Sequence, residues 1–397
     1  MFNKDCPAVI LGLSETALGV GRSLGRYGIT VYGISYHKEI GYYSKFIHGI
    51  LLPHPILQEA DFIESLRELC QQIPIKPVLF ITSDEYLTFY SKNNSFIAHY
   101  FQTNLPDAKL VETISDKYSQ YELAIKSGID VPNTLLVNNT SDINYIKDKM
   151  VYPVFVKAQD VNAWRKVFTG KNKGFVINDE KELTEISTRL VEKEIRLIVQ
   201  ELIRSPDDHN YKLCVYISAK GEYKLAFTLR KIHQYPIHYG IGSSIESYNY
   251  NQLKDIGQQL FSSIAYRGVG SAEFKYDEKD DKLKLIELNP RYWQQNSLAS
   301  FCGMDFPLMD YQEATGQSPD GIDSFRENVK WVNLSLDIDS YFHYRKEGTM
   351  TLGRWLRDLK GEKIISNLSW DDTKPFLKLL ISNPVGRMKF VVRKLFA

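Results

Sequence analysis

The sequence predicts an α/β unit with a parallel sheet, followed by an α+β body built on antiparallel sheets. Three observations carry this prediction. Residues 8–34 read as strand, helix, strand. From Tyr152 onward, short β-rich runs replace that rhythm. Within 271–289, two such runs flank a polar, turn-like segment, which is the pattern of a hairpin.

Ala8 to Leu11 is an apolar run that ends at Gly12, as a buried strand does. Ala17, Leu18, Val20, Gly21 and Leu24 follow at helical spacing, and Gly28 offers the left-handed stop that helix ends favour. A second strand over 29–34 completes a βαβ opening. Gly12, Gly19 and Gly21 miss the G-x-G-x-x-G spacing of a dinucleotide fingerprint, and are read as turn and packing glycines. Residues 78–82 form another buried strand. Ser83, Asp84 and Glu85 follow it, at the carboxyl end where open α/β sheets bind ligands. Asp84 has two readings: it faces a substrate, or it caps a helix. A helix from Ser115–Asp116 carries Tyr118, Tyr121, Leu123 and Ala124 and stops at Gly128, before Pro132. A domain boundary falls near residue 112. Beyond it, strands are expected at 153–157, 174–177, 196–202, 212–218, 222–230, 271–276 and 283–289, with helices near 180–192 and 251–264.

The chain has 397 residues, enough for two or three domains. Its net charge of +1 gives no sign of a nucleic-acid partner for the chain as a whole. Cys6, Cys70, Cys214 and Cys302 lack the pair spacing of a zinc site or a disulfide framework. No signal peptide and no stretch of ~20 apolar residues is read, so the cytoplasm is the expected compartment. After Asp372 there are no acids, while Lys374, Lys378, Arg387, Lys389, Arg393 and Lys394 are all cationic. This basic amphipathic tail either touches an anionic membrane weakly or docks as a terminal helix pair. The second reading is preferred, because amphipathic patterns usually face a core.

The chemistry concentrates at Leu285-Ile286-Glu287-Leu288-Asn289-Pro290-Arg291. In a strand, alternate side chains share a face. Ile286 and Leu288 are expected in the core, with Glu287, Asn289 and Arg291 together on the other side. A carboxylate beside an amide oxygen suits magnesium, and the arginine fork suits phosphate or carboxylate. Glu273 arrives on the preceding run, across the polar segment 276–282, and is expected opposite Glu287. An exposed ion-paired hairpin is the competing reading. Lys157 ends an apolar strand, where it can reach a phosphate. Residues 158–173 follow, with Arg165, Lys166, Gly170, Lys171 and Lys173, and suit a lid over phosphates or a plain solvated loop.

The order of these segments resembles the ATP-grasp superfamily over roughly residues 115–315. The matching pieces are Ser115-Asp116-Lys117, Val-Phe-Val-Lys157, Val-Gln-Glu201-Leu-Ile, Ala-Glu273-Phe and Ile-Glu287-Leu-Asn289-Pro-Arg291. The resemblance implies a Rossmann-like domain at 1–112. It implies an ATP-grasp domain at 113–321, two α+β subdomains gripping ATP, with a small lid subdomain at about 130–203. A C-terminal extension fills 322–397. Lys117, Lys157 and Lys173 would hold ATP phosphates. Glu201, next to Gln200, would lie at the adenine hinge, with the backbone of Leu202 or Ile203 reading the base, and Asp208 would reach the ribose. Glu273, Glu287 and Asn289 would bind magnesium, with manganese as a substitute. Arg291 would stabilise the transferring phosphate. Lys231, beside Arg230, looks like the basic position of carboxylate–amine ligases. The phosphate lid departs from the pattern, since only Gly170 and Gly174 stand where relatives have a denser glycine cluster.

The implied activity is ATP-dependent joining of a small carboxylate to an amine, an amino acid among them, through an acyl phosphate. D-aspartate ligases and amino-acid ligases are the nearest types. An ATP-grasp kinase or carboxylase and a non-catalytic nucleotide-binding protein are the alternatives. A homodimer is left open.

Overall fold

The structure is a computed structural model that describes residues 4–159 and 174–382. Its first sheet is parallel, in the order β3-β2-β1-β4. The strands are β1 (Ala8–Leu11), β2 (Val31–Ser35), β3 (His48–Leu51) and β4 (Val78–Ile81). Helix α1 (Glu15–Arg26) follows β1, and α2 (Glu59–Gln72) leads into β4. Helices α3 (Asp84–Lys92), α4 (Asn94–Tyr100) and α5 (Ala108–Ser115) complete the unit. Gly12 adopts φ +89°, and a Cβ there would stand 2.9 Å from Thr82 Oγ1. The turn therefore needs glycine for both its dihedral and its close approach. Gly28, with φ +82°, closes α1 as its place in the sequence predicts.

A small antiparallel sheet follows, ordered β5-β8-β6-β7. It comprises β5 (Thr134–Val137), β6 (Val154–Ala158), β7 (Phe175–Ile177) and β8 (Leu197–Glu201). Helices α7 (Thr140–Lys147) and α8 (Glu180–Val191) cover one face, so Val154, Val156, Leu197 and Val199 are buried among Ile143, Ile146, Leu183 and Leu190. Helix α6 (Lys117–Lys126) precedes this sheet and takes its N-cap from Asp116, whose carboxylate accepts from Ser119 N.

The large sheet has seven strands, ordered β13-β12-β9-β10-β11-β14-β15. They are β9 (Asn210–Ile217), β10 (Tyr223–Tyr235), β11 (Ile241–Ser247), β12 (Gly268–Asp277), β13 (Lys282–Asn289), β14 (Lys330–Val332) and β15 (Lys363–Ile365). All neighbours are antiparallel except β14 and β15. One face buries Leu213, Val215, Ala272, Phe274 and Leu288 under helix α9 (Asn251–Ser263). The other face buries Cys214, Tyr216 and Phe227 against Ile10, Ala17 and Phe80 of the first unit. Helices α10 (Asn296–Phe301) and α11 (Phe306–Ala314) fill that junction. The segment expected as an extension gives two strands to the large sheet, then helices α12 (Leu334–Lys346), α13 (Leu352–Asp358) and α14 (Lys374–Ser382). Among the described residues, no helix is long and apolar enough to cross a membrane.

Candidate active site

β12 and β13 pair so that Glu273 lies directly opposite Glu287, and Ser271 opposite Asn289. Two like charges facing each other across a ladder are destabilising unless cations compensate. Here the cations are lysines. Lys212 Nζ stands 2.8 Å from Glu273 Oε1, and Lys231 Nζ 3.2 Å from Oε2. Lys117 Nζ stands 2.5 Å from Glu287 Oε1. These five side chains keep between 10 % and 30 % of their surface open, so they line a cleft rather than a core. Burial alone would raise the Glu273 carboxyl, but Lys212 and Lys231 outweigh it and hold the group well below the usual carboxylate range. Burial would likewise lower Lys117, and Glu287 reverses that.

Lys157 joins from the small sheet. Its Nζ is 3.3 Å from both the Tyr121 hydroxyl and Gln200 Oε1, and it lies over the Tyr121 ring. Tyr121 in turn donates to the Ile286 carbonyl at 2.6 Å, which links the two sheets beside Glu287. Gln200 is fixed from behind by donating to Thr134 Oγ1 at 2.9 Å.

Arg291 makes a two-pronged contact with Asp84, Nε to Oδ1 at 2.5 Å and Nη2 to Oδ2 at 3.2 Å. The surroundings of Asp84 would raise its carboxyl, and Arg291 outweighs them and lowers it. Asp84 nevertheless keeps 74 % of its side-chain surface, so the pair sits at a cleft mouth. Ser83 occupies the N-cap position of α3, with no side-chain cap bond, and Asp84 faces across to the large sheet.

Two sequence-derived candidates stand apart from this centre. Glu201 points to the opposite face of β8 from Gln200, toward Lys284 at 3.4 Å and Lys279 at 3.7 Å. Asp208 acts on Arg230 and Tyr211, and Tyr211 packs against the helix-covered face of the large sheet, away from Lys212. The backbone N–H groups of Leu202 and Ile203 donate to no other described residue, although Ile203 is buried. Lys173, with 160–173 of the expected phosphate lid, lies outside the described residues, as do residues 383–397 of the basic tail.

Ile286 departs from its expected place in the core. The register shifts between Glu273 and Phe274, which leaves Ile286 as an extra, half-buried residue in β13. This bulge resolves a conflict of parity: Leu283 and Leu285 are odd-numbered, Leu288 is even, and all three are buried on one face. Sequence reasoning missed Lys212. Its signal was a lysine in step with Cys214 and Tyr216, in a strand whose other residues are all apolar or aromatic except Asn210.

The donor set can be tested for a metal. Glu273, Glu287 and Asn289 share a face, but no group of three His, Cys, Asp or Glu suited to a metal occurs among the described residues. Magnesium commonly takes one or two protein carboxylates and completes its shell with water and substrate phosphates. Two carboxylates and an amide oxygen fit that usage, provided a phosphorylated ligand is present.

Residues 228–319 match the family described as carbamoyl-phosphate synthase L chain, ATP binding domain. The chain is 24 % identical over 318 residues to D-aspartate ligase of Enterococcus faecium (strain Aus0004), covering 76 % of this chain and 75 % of that protein. It is 24 % identical over 212 residues to the carbamoyl phosphate synthase large chain of Thermotoga sp. (strain RQ2), but spans only 18 % of that protein. Among solved structures, N5-carboxyaminoimidazole synthetase from Staphylococcus aureus complexed with ADP superposes with TM-score 0.66 at 18 % identity, covering 87 % of this chain and 88 % of that one. L-amino acid ligase from Bacillus licheniformis gives TM-score 0.61 at 14 % identity, over 80 % and 75 %. The architecture is a parallel α/β unit beside two α+β units, with a cation-lined cleft among them. The chain shares the ATP-grasp fold of these structures.

Proposed function

We propose that the chain is an ATP-dependent ligase that joins a carboxylate to an amine, releasing ADP and phosphate. The carrying observation is the charge arrangement on β12 and β13: two facing carboxylates and an amide, surrounded by Lys117, Lys157, Lys212, Lys231 and Arg291. Lysines neutralise the carboxylates. The same ammonium groups would hold the nucleotide's phosphates, and Glu273 and Glu287 would hold the cation. Magnesium, or manganese in its place, would neutralise charge on the phosphoryl oxygens.

Phosphoryl transfer asks the protein for positioning and charge more than for a nucleophile. Lys117 and Lys157 orient the phosphates, and Lys231 and Arg291 hold the substrate carboxylate and the transferring group. The free N–H groups of Leu202 and Ile203 suit the edge of adenine, so the hinge acts through its backbone rather than through the Glu201 carboxylate. The carboxylate takes the γ-phosphoryl group, and the amine then attacks the acyl carbon and expels phosphate. The named relatives, D-aspartate ligase and L-amino acid ligase, support an amino acid as one substrate.

The test is incubation with ATP, magnesium and a panel of amino acids, with nucleotides separated and products weighed by mass spectrometry. ADP, phosphate and a new amide are expected. AMP as the main nucleotide product would overturn the reading.

A further inference from the structure

The carboxyl edge of the first sheet carries a second polar cluster that the phosphoryl centre does not use. β1 lies between β2 and β4, so connections leave it on both sides, and open α/β sheets take ligands at the carboxyl end of such a strand. Ser35, Tyr36 and Glu39 come from the end of β2 and the loop beyond it, and Glu85 and Tyr86 from the first turn of α3. Glu39 Oε2 accepts from Leu13 N at 2.7 Å and from Ser35 Oγ at 2.9 Å. Tyr36 donates to Glu85 Oε2 at 3.1 Å, and its ring packs against His54 and His37, with centroids 4.2 and 4.5 Å away.

Tyr86 is only 1 % exposed, yet its hydroxyl makes no well-formed hydrogen bond, with only the Ser35 side chain near enough to approach one. Buried hydroxyls rarely go unpaired. After burial itself, the Glu39, Tyr36 and Glu85 groups raise its phenol most, so the orphan hydroxyl faces the acidic cluster. Asp84, the residue before Glu85, is held by Arg291 just past the end of β13. The cluster therefore adjoins the phosphoryl centre.

The two neighbouring regions have opposite character. The centre gathers cations and suits ATP and a carboxylate. The edge gathers Glu39 and Glu85 with tyrosine acceptors and an aromatic wall. A primary ammonium carries three donors and no acceptor, and it is attracted to aromatic faces.

We propose that this edge takes the amine substrate in its ammonium form, with Glu85 and the Tyr86 hydroxyl as acceptors and the Tyr36 ring as a wall. The inference rests on the ligase reading and names the chemical class of its second substrate.

Tyr86→Phe is the informative variant. It deletes an unpaired hydroxyl and keeps the ring, so a purely structural role predicts unchanged or improved stability and no effect on ligands. Glu85→Gln removes the charge. The full chain, saturated with MgADP, would be titrated by calorimetry with n-butylamine and 1,4-diaminobutane, and with n-butanol as the neutral control. Both amines should bind more tightly than butanol. Glu85→Gln should weaken them tenfold or more and Tyr86→Phe several-fold, with MgADP affinity unchanged in both. Wild-type protein that treats butylamine and butanol alike, or variants that keep wild-type amine affinity, would overturn the inference alone. Absence of MgADP binding by the wild-type chain would overturn the nucleotide reading and this inference with it.

Discussion

At the scale of single residues, the alternation Glu287, Leu288, Asn289 divides chemistry from packing. Leu288 is 2 % exposed among Leu285, Phe274 and Ala272, whereas Glu287 lies in the cleft against Lys117. Glu287→Gln keeps the shape and removes the charge. Losing a metal contact forfeits several kcal/mol of transition-state stabilisation, and ~4 kcal/mol is about a thousandfold in rate. Asn289→Leu should cost a similar amount, while Leu288→Ile, which conserves volume, should cost under ~1.5 kcal/mol of stability and leave the rate almost intact. Turnover at saturating ATP across a magnesium series checks this. Near-normal activity of Glu287→Gln at ordinary magnesium would place the metal elsewhere. Glu287 and Asn289 were legible in the sequence because both lie in one short strand, where a period of two fixes their side. Lys212 was not, because a lysine in a strand reads as solvent-facing until β12 brings Glu273 opposite it. The Asp84–Arg291 contact joins positions 207 apart, beyond the reach of any local pattern.

At the scale of elements, the bulge at Ile286 is what lets one strand serve both faces. With Ile286 removed, Leu283, Leu285 and Leu288 would fall on one side and Lys284, Glu287 and Asn289 on the other, in strict alternation. Deletion of Ile286 should therefore be tolerated by the sheet, an unusual expectation for a strand interior. Its cost should come chiefly from the hydrogen bond that the Tyr121 hydroxyl gives to the Ile286 carbonyl, about 1 kcal/mol. Deletion of Leu288 instead keeps the bulge, turns Asn289 to the core-facing parity and removes a buried side chain, so it should be far more damaging. Melting temperatures of the two deletion variants give the comparison; equal losses would mean that the bulge does not set the register. Parity also decides which way Glu201 turns. The pairing of Phe155 with Gln200 puts Gln200 on the Lys157 side and turns Glu201 away, and sequence alone does not supply that register. Other elements left no periodic trace. β11 reads Ile-Gly-Ser-Ser-Ile-Glu-Ser and is buried at all but its first residue, so its small polar residues resemble a loop. β3 has exposed ends and half-buried middle residues, and β14 and β15 are three residues each, too short for any pattern to register.

At the scale of the whole molecule, the C-terminal segment acts as a strap. Arg22 of α1 reaches Asp372 at 2.9 Å, and both side chains are buried. Glu15 accepts from Asn333 at 3.1 Å and from Asn367 at 2.5 Å. The third tie is a buried imidazole on β10, two residues beyond Lys231. His233 Nδ1 lies 2.9 Å from Asp337 of α12, and Nε2 lies 3.3 Å from Asp358 of α13. Asp337 also accepts from Ser243 at 3.0 Å and Trp355 at 2.8 Å. Burial alone would lower His233, but the two carboxylates overcome it and raise the imidazole to about 9, from a usual 6.5. A group raised on folding contributes its full stability below its unfolded pKa and loses it as pH climbs through the folded one. The window here is therefore from about pH 6.5 to 9, and at ~1.36 kcal/mol per unit the contribution is at most about 3 kcal/mol. Asp310, raised to about 7 by burial, erodes stability at lower pH, from about 4 to 7, so it does not obscure this window. His238 is also raised to about 9, first by its bond to Asp207, but it is 42 % exposed and screened accordingly. His233→Gln should consequently melt several degrees below the wild-type chain at pH 6.5, and the gap should close by about pH 9.5. His238→Gln should show the same trend at smaller amplitude. A His233→Gln deficit that stays constant across the range would mean that the imidazole acts there by shape and neutral hydrogen bonding, and that the strap is not held by charge.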